Sequence, residues 1–154
     1  MITPDRIEAR THQRLIGSNK TYSMATRDQI PDQWAQWEYD KITGVVGDDV
    51  YGVSHGFAPE SRFDYLCGLP VTTDAPVPDG QIALDIPAGD CAVYVHDGHV
   101  SGIGPLFDAI ICGPGPGAGW RFCKGPQVEL YGPEHDGLTG MGRVEIWMPV
   151  SRIQ

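Results

Sequence analysis

The segment RVEIWMPV at 143–150 places a carboxylate and an indole where they can act together. Side chains two apart on a strand point the same way, so Glu145 and Trp147 share one face. Val144, Ile146, Met148 and Val150 form the other. The segment QVELY at 127–131 repeats the arrangement with Glu129 and Tyr131. A carboxylate taken out of water is costly unless it protonates or meets a cation. Aromatic faces attract cations through their quadrupoles, by roughly 0.5–2 kcal/mol each. A glutamate among rings is therefore a site for a flat organic cation with an oily body. The rings supply contact area, and the carboxylate selects by charge. Tyr65, Tyr94, Trp34 and Trp37 are further rings for such a site. The plainer alternatives are a water-exposed Glu145, a surface Glu129 and tryptophans buried as core, and alternation alone leaves them open.

Other candidate chemistry is thin. His96-Asp97-Gly98-His99 offers two imidazoles but no third metal ligand, and it reads as a solvated turn. GPGPGAG at 113–119 follows a helical stripe and opens no helix, so it is not a nucleotide loop. No Ser/His/Asp or Cys/His set stands out by spacing. Neither a catalytic residue, a metal nor a cofactor is expected, and an enzyme is the less favoured reading.

The elements that must position these residues follow from composition and period. The chain has 154 residues, 41% of them hydrophobic, enough for one core. Twenty glycines and thirteen prolines point to short strands and tight turns. A net charge of -9 argues against direct nucleic-acid binding, which needs a basic face, and disfavours an anionic membrane. No apolar run is long enough to span a membrane, and the first residues lack a signal-peptide core, so a cytoplasmic location is expected. The four cysteines lack CxxC spacing and are expected to be reduced.

The periodicity predicts an extended opening strand over 6–24. A helix over about 27–42 follows, with a Thr-x-x-Gln capping box at 26–29. Strands 49–57 and 61–71 form a hairpin around Ala58-Pro59-Glu60. Residues 72–80 read as a linker. Then come a strand from 82 bent at Pro87–Asp90, a helical stripe from Ile103 to Ile111 with Ser101 as a possible cap, and strands 126–134 and 142–150. Both halves (6–71 and 82–150) run strand, helix, strand, strand, and they end alike in Leu69-Pro70-Val71 and Met148-Pro149-Val150. The expectation is one α+β domain over 1–154, with helices covering one face of an antiparallel sheet.

IPAGDCAVYVHDGHVSGIGPLFDAI, PQVELY and GMGRVEIWMPV, with YGVSHGF and FDYLCGLPV in the first half, resemble the GyrI-like family. These are effector-binding domains of AraC-type and MerR-type multidrug-responsive regulators, also found as stand-alone proteins. The resemblance implies two pseudo-symmetric β-α-β-β units. They would form a curved antiparallel sheet with two helices on one face and a ligand groove on the other. It also implies a buried glutamate that meets lipophilic cations, which maps onto Glu145. The expected ligand set is Glu145, Trp147, Glu129, Tyr131, Tyr94, Tyr65 and Trp37. The expected function is a stand-alone binding protein for hydrophobic, cationic small molecules, with any protein partner unspecified. The alternatives are a hydrolase of cyclopropane-containing or similar electrophiles, using Glu145 and Glu129, and a gyrase-inhibitor-like interaction module.

Overall fold

Residues 2–154 are described in a computed structural model. Alternating apolar segments form nine strands: β1 (Arg6–Arg10), β2 (Gln13–Tyr22), β3 (Val50–Ala58), β4 (Arg62–Val71), β5 (Ile82–Ile86), β6 (Gly89–His99), β7 (Trp120–Phe122), β8 (Gln127–Asp136) and β9 (Met141–Arg152). The helices are α1 (Ile30–Gln36) and α2 (Ile103–Ile111). The sheet is antiparallel in the order β1-β6-β9-β8-β3-β4-β2-β5, with short β7 added to the end of β9.

That order is symmetric about the β3–β8 junction. β2, β3 and β4 of the first half correspond to β6, β8 and β9 of the second. The outermost strands are exchanged. β1 precedes the first half but bonds to β6, and β5 precedes the second half but bonds to β2. The opening strand expected over 6–24 is therefore two strands, because the chain crosses between halves at Thr11-His12. The bend expected at Pro87 is likewise a crossing, since Pro87 has no N–H to continue a ladder. β7 has only three residues and gives no periodic signal.

The crossings force the sheet to curl. β6 and β5 are six places apart in the order, about 29 Å if the sheet were flat. Only Pro87-Ala88 separates their ends, and that reach is at most about 11 Å. Ile86 and Cys91 accordingly meet in one core cluster with Leu15, Tyr51, Val53, Leu66, Val93, Val128 and Trp147. This is the inner face of the curl. The helices pack on the other face. α1 lies on Ile16, Tyr65 and Cys67, and α2 lies on Tyr94, Val144 and Ile146. Arg27, just before α1, donates two hydrogen bonds to Asp108 of α2, at 3.0 and 2.9 Å, and so links the two helical segments.

α1 is shorter than the predicted 27–42. It has seven residues between 3-10 turns at 27–29 and 39–41, with Pro31 in its first turn. Thr26 makes no capping bond to it; its hydroxyl accepts from Ser23 N–H instead. Ahead of α2, His99 rather than Ser101 caps a 3-10 turn at 100–102, its Nδ1 accepting from Ser101 N–H, and α2 itself has no side-chain cap. So short a helix as α1 gains little from its own backbone bonds. Gln33 anchors it. This side chain is 1% exposed, donates to the carbonyls of Ser18 and Tyr65 at 2.8 and 3.0 Å, and accepts from the Tyr22 hydroxyl at 2.8 Å. Among the described residues no helix is long and apolar enough to cross a membrane.

Gln33→Leu leaves the Tyr22 hydroxyl and the Ser18 and Tyr65 carbonyls without this partner. The expected loss is about 2–3 kcal/mol of unfolding free energy, measured in urea. A loss below about 0.5 kcal/mol, the scale of an ordinary surface substitution, would show that α1 is held by its apolar contacts alone.

Candidate functional site

The sheet register places Glu129 at the centre of the molecule. It faces Gly52 across the β3–β8 junction, in a row that runs Tyr94, Ile146, Glu129, Gly52, Cys67, Ser18 from β6 to β2. Aligning the two halves on their ladders pairs Tyr51 with Val128, and hence Gly52 with Glu129. These two residues are pseudo-equivalents that meet on the pseudo-two-fold axis. The first half supplies no side chain there, and the second supplies a carboxylate. A Cβ at Gly52 would lie 2.2 Å from Tyr65 Oη and 3.0 Å from Glu129 Oε1, so the missing side chain is what admits the acid.

Glu129 is 6% exposed. Its Oε1 accepts from Tyr131 Oη at 2.6 Å and from Tyr65 Oη at 2.9 Å. Trp34 Nε1 donates to Tyr65 Oη at 3.2 Å, extending the chain of bonds to α1. The Trp34 ring stands edge-on to Tyr131 at 5.4 Å, to Trp37 at 5.7 Å and to Tyr65 at 6.2 Å. His135 lies against Tyr131 at 5.0 Å. Burial pushes the Glu129 carboxyl above its ordinary range, and the bonds from Tyr131 and Tyr65 only partly oppose this. Burial also raises both phenols, helped by the neighbouring carboxylate, so they remain donors. Among the described residues, no basic side chain forms an ion pair with Glu129.

Glu145 has the opposite environment. It lies on the inner face, with its side chain 14% exposed. Arg6 Nη2 donates to it at 3.1 Å, Arg143 Nη2 at 2.9 Å and Trp147 Nε1 at 3.1 Å. Burial disfavours its charge, but the bonds from Arg6 and Arg143, with Trp147 behind them, outweigh this and hold it below the ordinary range. The Arg6 guanidinium also sits over the Trp147 ring at 5.5 Å. The chain's own cations thus already occupy Glu145.

The seven residues singled out in the sequence therefore divide. Glu129, Tyr131, Tyr65 and Trp37 share one aromatic assembly on the helix-bearing face. Glu145 and Trp147 are together on the inner face. Tyr94 is 2% exposed in the core under α2, on the same face as Glu129 but two strands away. Gly52 and Gln33 belong to the site and carried no sequence signal, since their roles come from cross-strand register and from backbone carbonyls far away in the chain. His96 and His99 are spent locally. His96 bonds the His99 carbonyl and His99 the Ser101 hydroxyl, and no group of three potential metal ligands occurs among the described residues.

Two helix-backed halves thus surround a buried acid that bonds only to phenols. The profile of the GyrI-like small-molecule-binding domain matches residues 5–151. This chain belongs to the GyrI-like family. The transcriptional regulator BrlR of Pseudomonas aeruginosa is 29% identical over 133 residues, which are 84% of this chain and 49% of BrlR. The chain thus spans about half the length of that curated relative. Among solved structures, a protein from Staphylococcus aureus MU50 superimposes with a TM-score of 0.67 at 17% identity, covering 95% of this chain and 97% of that one. SAV2435 bound to tetraphenylphosphonium gives 0.66 at 15% identity, covering 95% and 93%. The C-terminal domain of EcmrR gives 0.63 at 13% identity, covering 96% and 97%. At these identities the likeness is one of fold, and it is the open antiparallel sheet with two helices that the GyrI-like family shares.

Glu129→Gln tests the state of the acid. A carboxyl raised in the folded protein contributes stability in its protonated form, present in acid and lost as pH rises through its folded value. Gln mimics that protonated form at every pH. The variant should therefore unfold at a higher temperature than the parent at pH 7–8, with the gap narrowing toward pH 4. A variant less stable at pH 8 by as much as at pH 4 would show that the ionised form is favoured by its surroundings.

Proposed function

We propose that this chain is a receptor for hydrophobic organic cations, with Glu129 as the group that meets the charge. The observation that carries this reading is the contrast between its two inward glutamates. Glu145 is neutralised by two arginines, whereas Glu129 is buried against phenols alone. A buried carboxylate without a cation is poorly stabilised as an anion, and a lipophilic cation would supply the missing charge. Tyr131 and Trp34, both half-buried, present ring faces and edges near the same point. Sequence reasoning placed the charge-selecting acid at Glu145 on β9; here that role falls to Glu129 on the neighbouring strand β8, on the opposite face of the sheet.

Several facts support this assignment. The family is defined by small-molecule binding, and one protein of the same fold is bound to tetraphenylphosphonium. The cation would have to displace the Trp34–Tyr131 contact to reach Oε1, so binding should change tryptophan fluorescence. A cytoplasmic role in sequestering or sensing such compounds fits both the charge of the chain and its regulator relatives.

Tetraphenylphosphonium and neutral triphenylphosphine oxide discriminate charge from shape. Saturable tryptophan quenching by the cation is expected. Glu129→Gln should weaken the cation at least tenfold while changing the neutral compound less than threefold, and Glu145→Gln should change both little. Cation affinity should also fall as acid protonates Glu129. Equal losses for the two compounds in Glu129→Gln, or a selective loss in Glu145→Gln instead, would refute the assignment.

A further inference from the structure

The inner face carries a cavity of about 320 Å³, lined among others by Glu8, Arg10, Gln13, Tyr51, Leu130 and Trp147. It lies on the opposite side of the sheet from Glu129. Its size is at the lower end of the roughly 300–1,000 Å³ found for small-molecule sites. Tyr51 and Trp147 are 6% and 8% exposed, so these two rings of the wall are largely buried.

The pseudo-symmetry makes one lining residue anomalous. β1 bonds to β6 with Arg10 opposite Gly89, and β5 bonds to β2 with Ile86 opposite Gln13. Gly89 opens β6 as Gln13 opens β2, so Arg10 and Ile86 are structural counterparts. Ile86 is fully buried in the inner core. The matching position in the other half therefore carries a guanidinium where its counterpart carries a hydrocarbon. Nε and Nη1 of Arg10 are buried and have no hydrogen-bond partner. Two acids of this face bond other arginines. Glu8 accepts from Arg6 Nε at 2.7 Å, and Glu145 accepts from Arg6 and Arg143. The guanidinium borders the hollow, and with Nε and Nη1 sealed from it, Nη2 is the donor left for an acceptor placed there.

We propose that this cavity is a second binding site, selective for small flat anions, in which a carboxylate bonds Arg10 and an aromatic or apolar body rests against Tyr51, Leu130 and Trp147. Guanidinium recognises carboxylate by geometry as well as charge, so an aromatic carboxylate is the chemical class that fits both the cation and the walls. The two faces of the sheet then have opposite charge preferences: an unpaired acid under the helices and an unpaired base inside the curl. This inference does not depend on Glu129 binding a cation.

Calorimetric titration of the whole chain with 2-naphthoate and with neutral 2-naphthamide tests it. Saturable one-to-one binding of naphthoate is expected, with naphthamide at least tenfold weaker. Arg10→Met, of similar length without the charge, should lower naphthoate affinity at least tenfold and leave the thermal midpoint unchanged or higher. Arg10→Lys should retain part of the affinity, and Glu129→Gln should leave naphthoate binding intact. Absence of saturation at millimolar concentration would overturn the proposal. Equal affinity for the two probes, undiminished binding in Arg10→Met, or loss of binding in Glu129→Gln would overturn it too. Should Arg10→Met fail to fold, the comparison of the two probes on the unaltered chain still decides.

Discussion

The β3–β8 junction is the constraint on which the remaining structure depends. Two similar halves meet there edge to edge, and the pair on the axis must share one small space. A side chain on both sides would collide, and this chain resolves the conflict with Gly52 on one strand and Glu129 on the other. The glycine makes room for the Tyr65 hydroxyl to reach the acid, so one backbone position sets the geometry of the whole hydrogen-bonded group. The rings of Trp34, Tyr131 and Trp37 then follow from what must cover that group. The short α1 can hold Trp34 there because Gln33 ties it to two strand carbonyls.

The exchanged outer strands give the fold its second property. Because β1 and β5 each cross to the other half, separating the halves would expose both a hydrogen-bonded ladder and the inner core. The sheet is thereby held in a curl, and much of its inner face is buried without any helix. An enclosed face tolerates polar groups only where they are paired. Glu145 satisfies this through Arg6 and Arg143, whose own side chains still reach solvent. Arg10 is the exception.

Much of the architecture was legible in the chain. The alternation of β3, β4, β8 and β9, the hairpin at 58–60, the stripe of α2 and the matching Leu-Pro-Val and Met-Pro-Val endings are local patterns, and local patterns survive folding. The candidate site was legible in kind: a glutamate beside an aromatic, two residues apart on a strand. Which of the two such pairs is unpaired was not legible. Glu129-Leu130-Tyr131 and Glu145-Ile146-Trp147 look equivalent on paper. They differ because Arg6 reaches Glu145 from a strand 139 residues away, while no arginine stands opposite Glu129. The boundary errors share a cause. At Thr11-His12 and Pro87-Ala88 the chain keeps its extended conformation while changing partner, and only hydrogen-bond pairing distinguishes one bent strand from two.

By itself the sequence determined the elements, their near-duplication and the two glutamate–aromatic pairs on their strands, because periodicity, glycine and proline act over a few neighbours. The tertiary structure alone decided which face each glutamate occupies and which charges surround it. Solvent and counter-charge are set by strands distant in the chain, and these turned one acid into a satisfied ion pair and left the other buried among phenols.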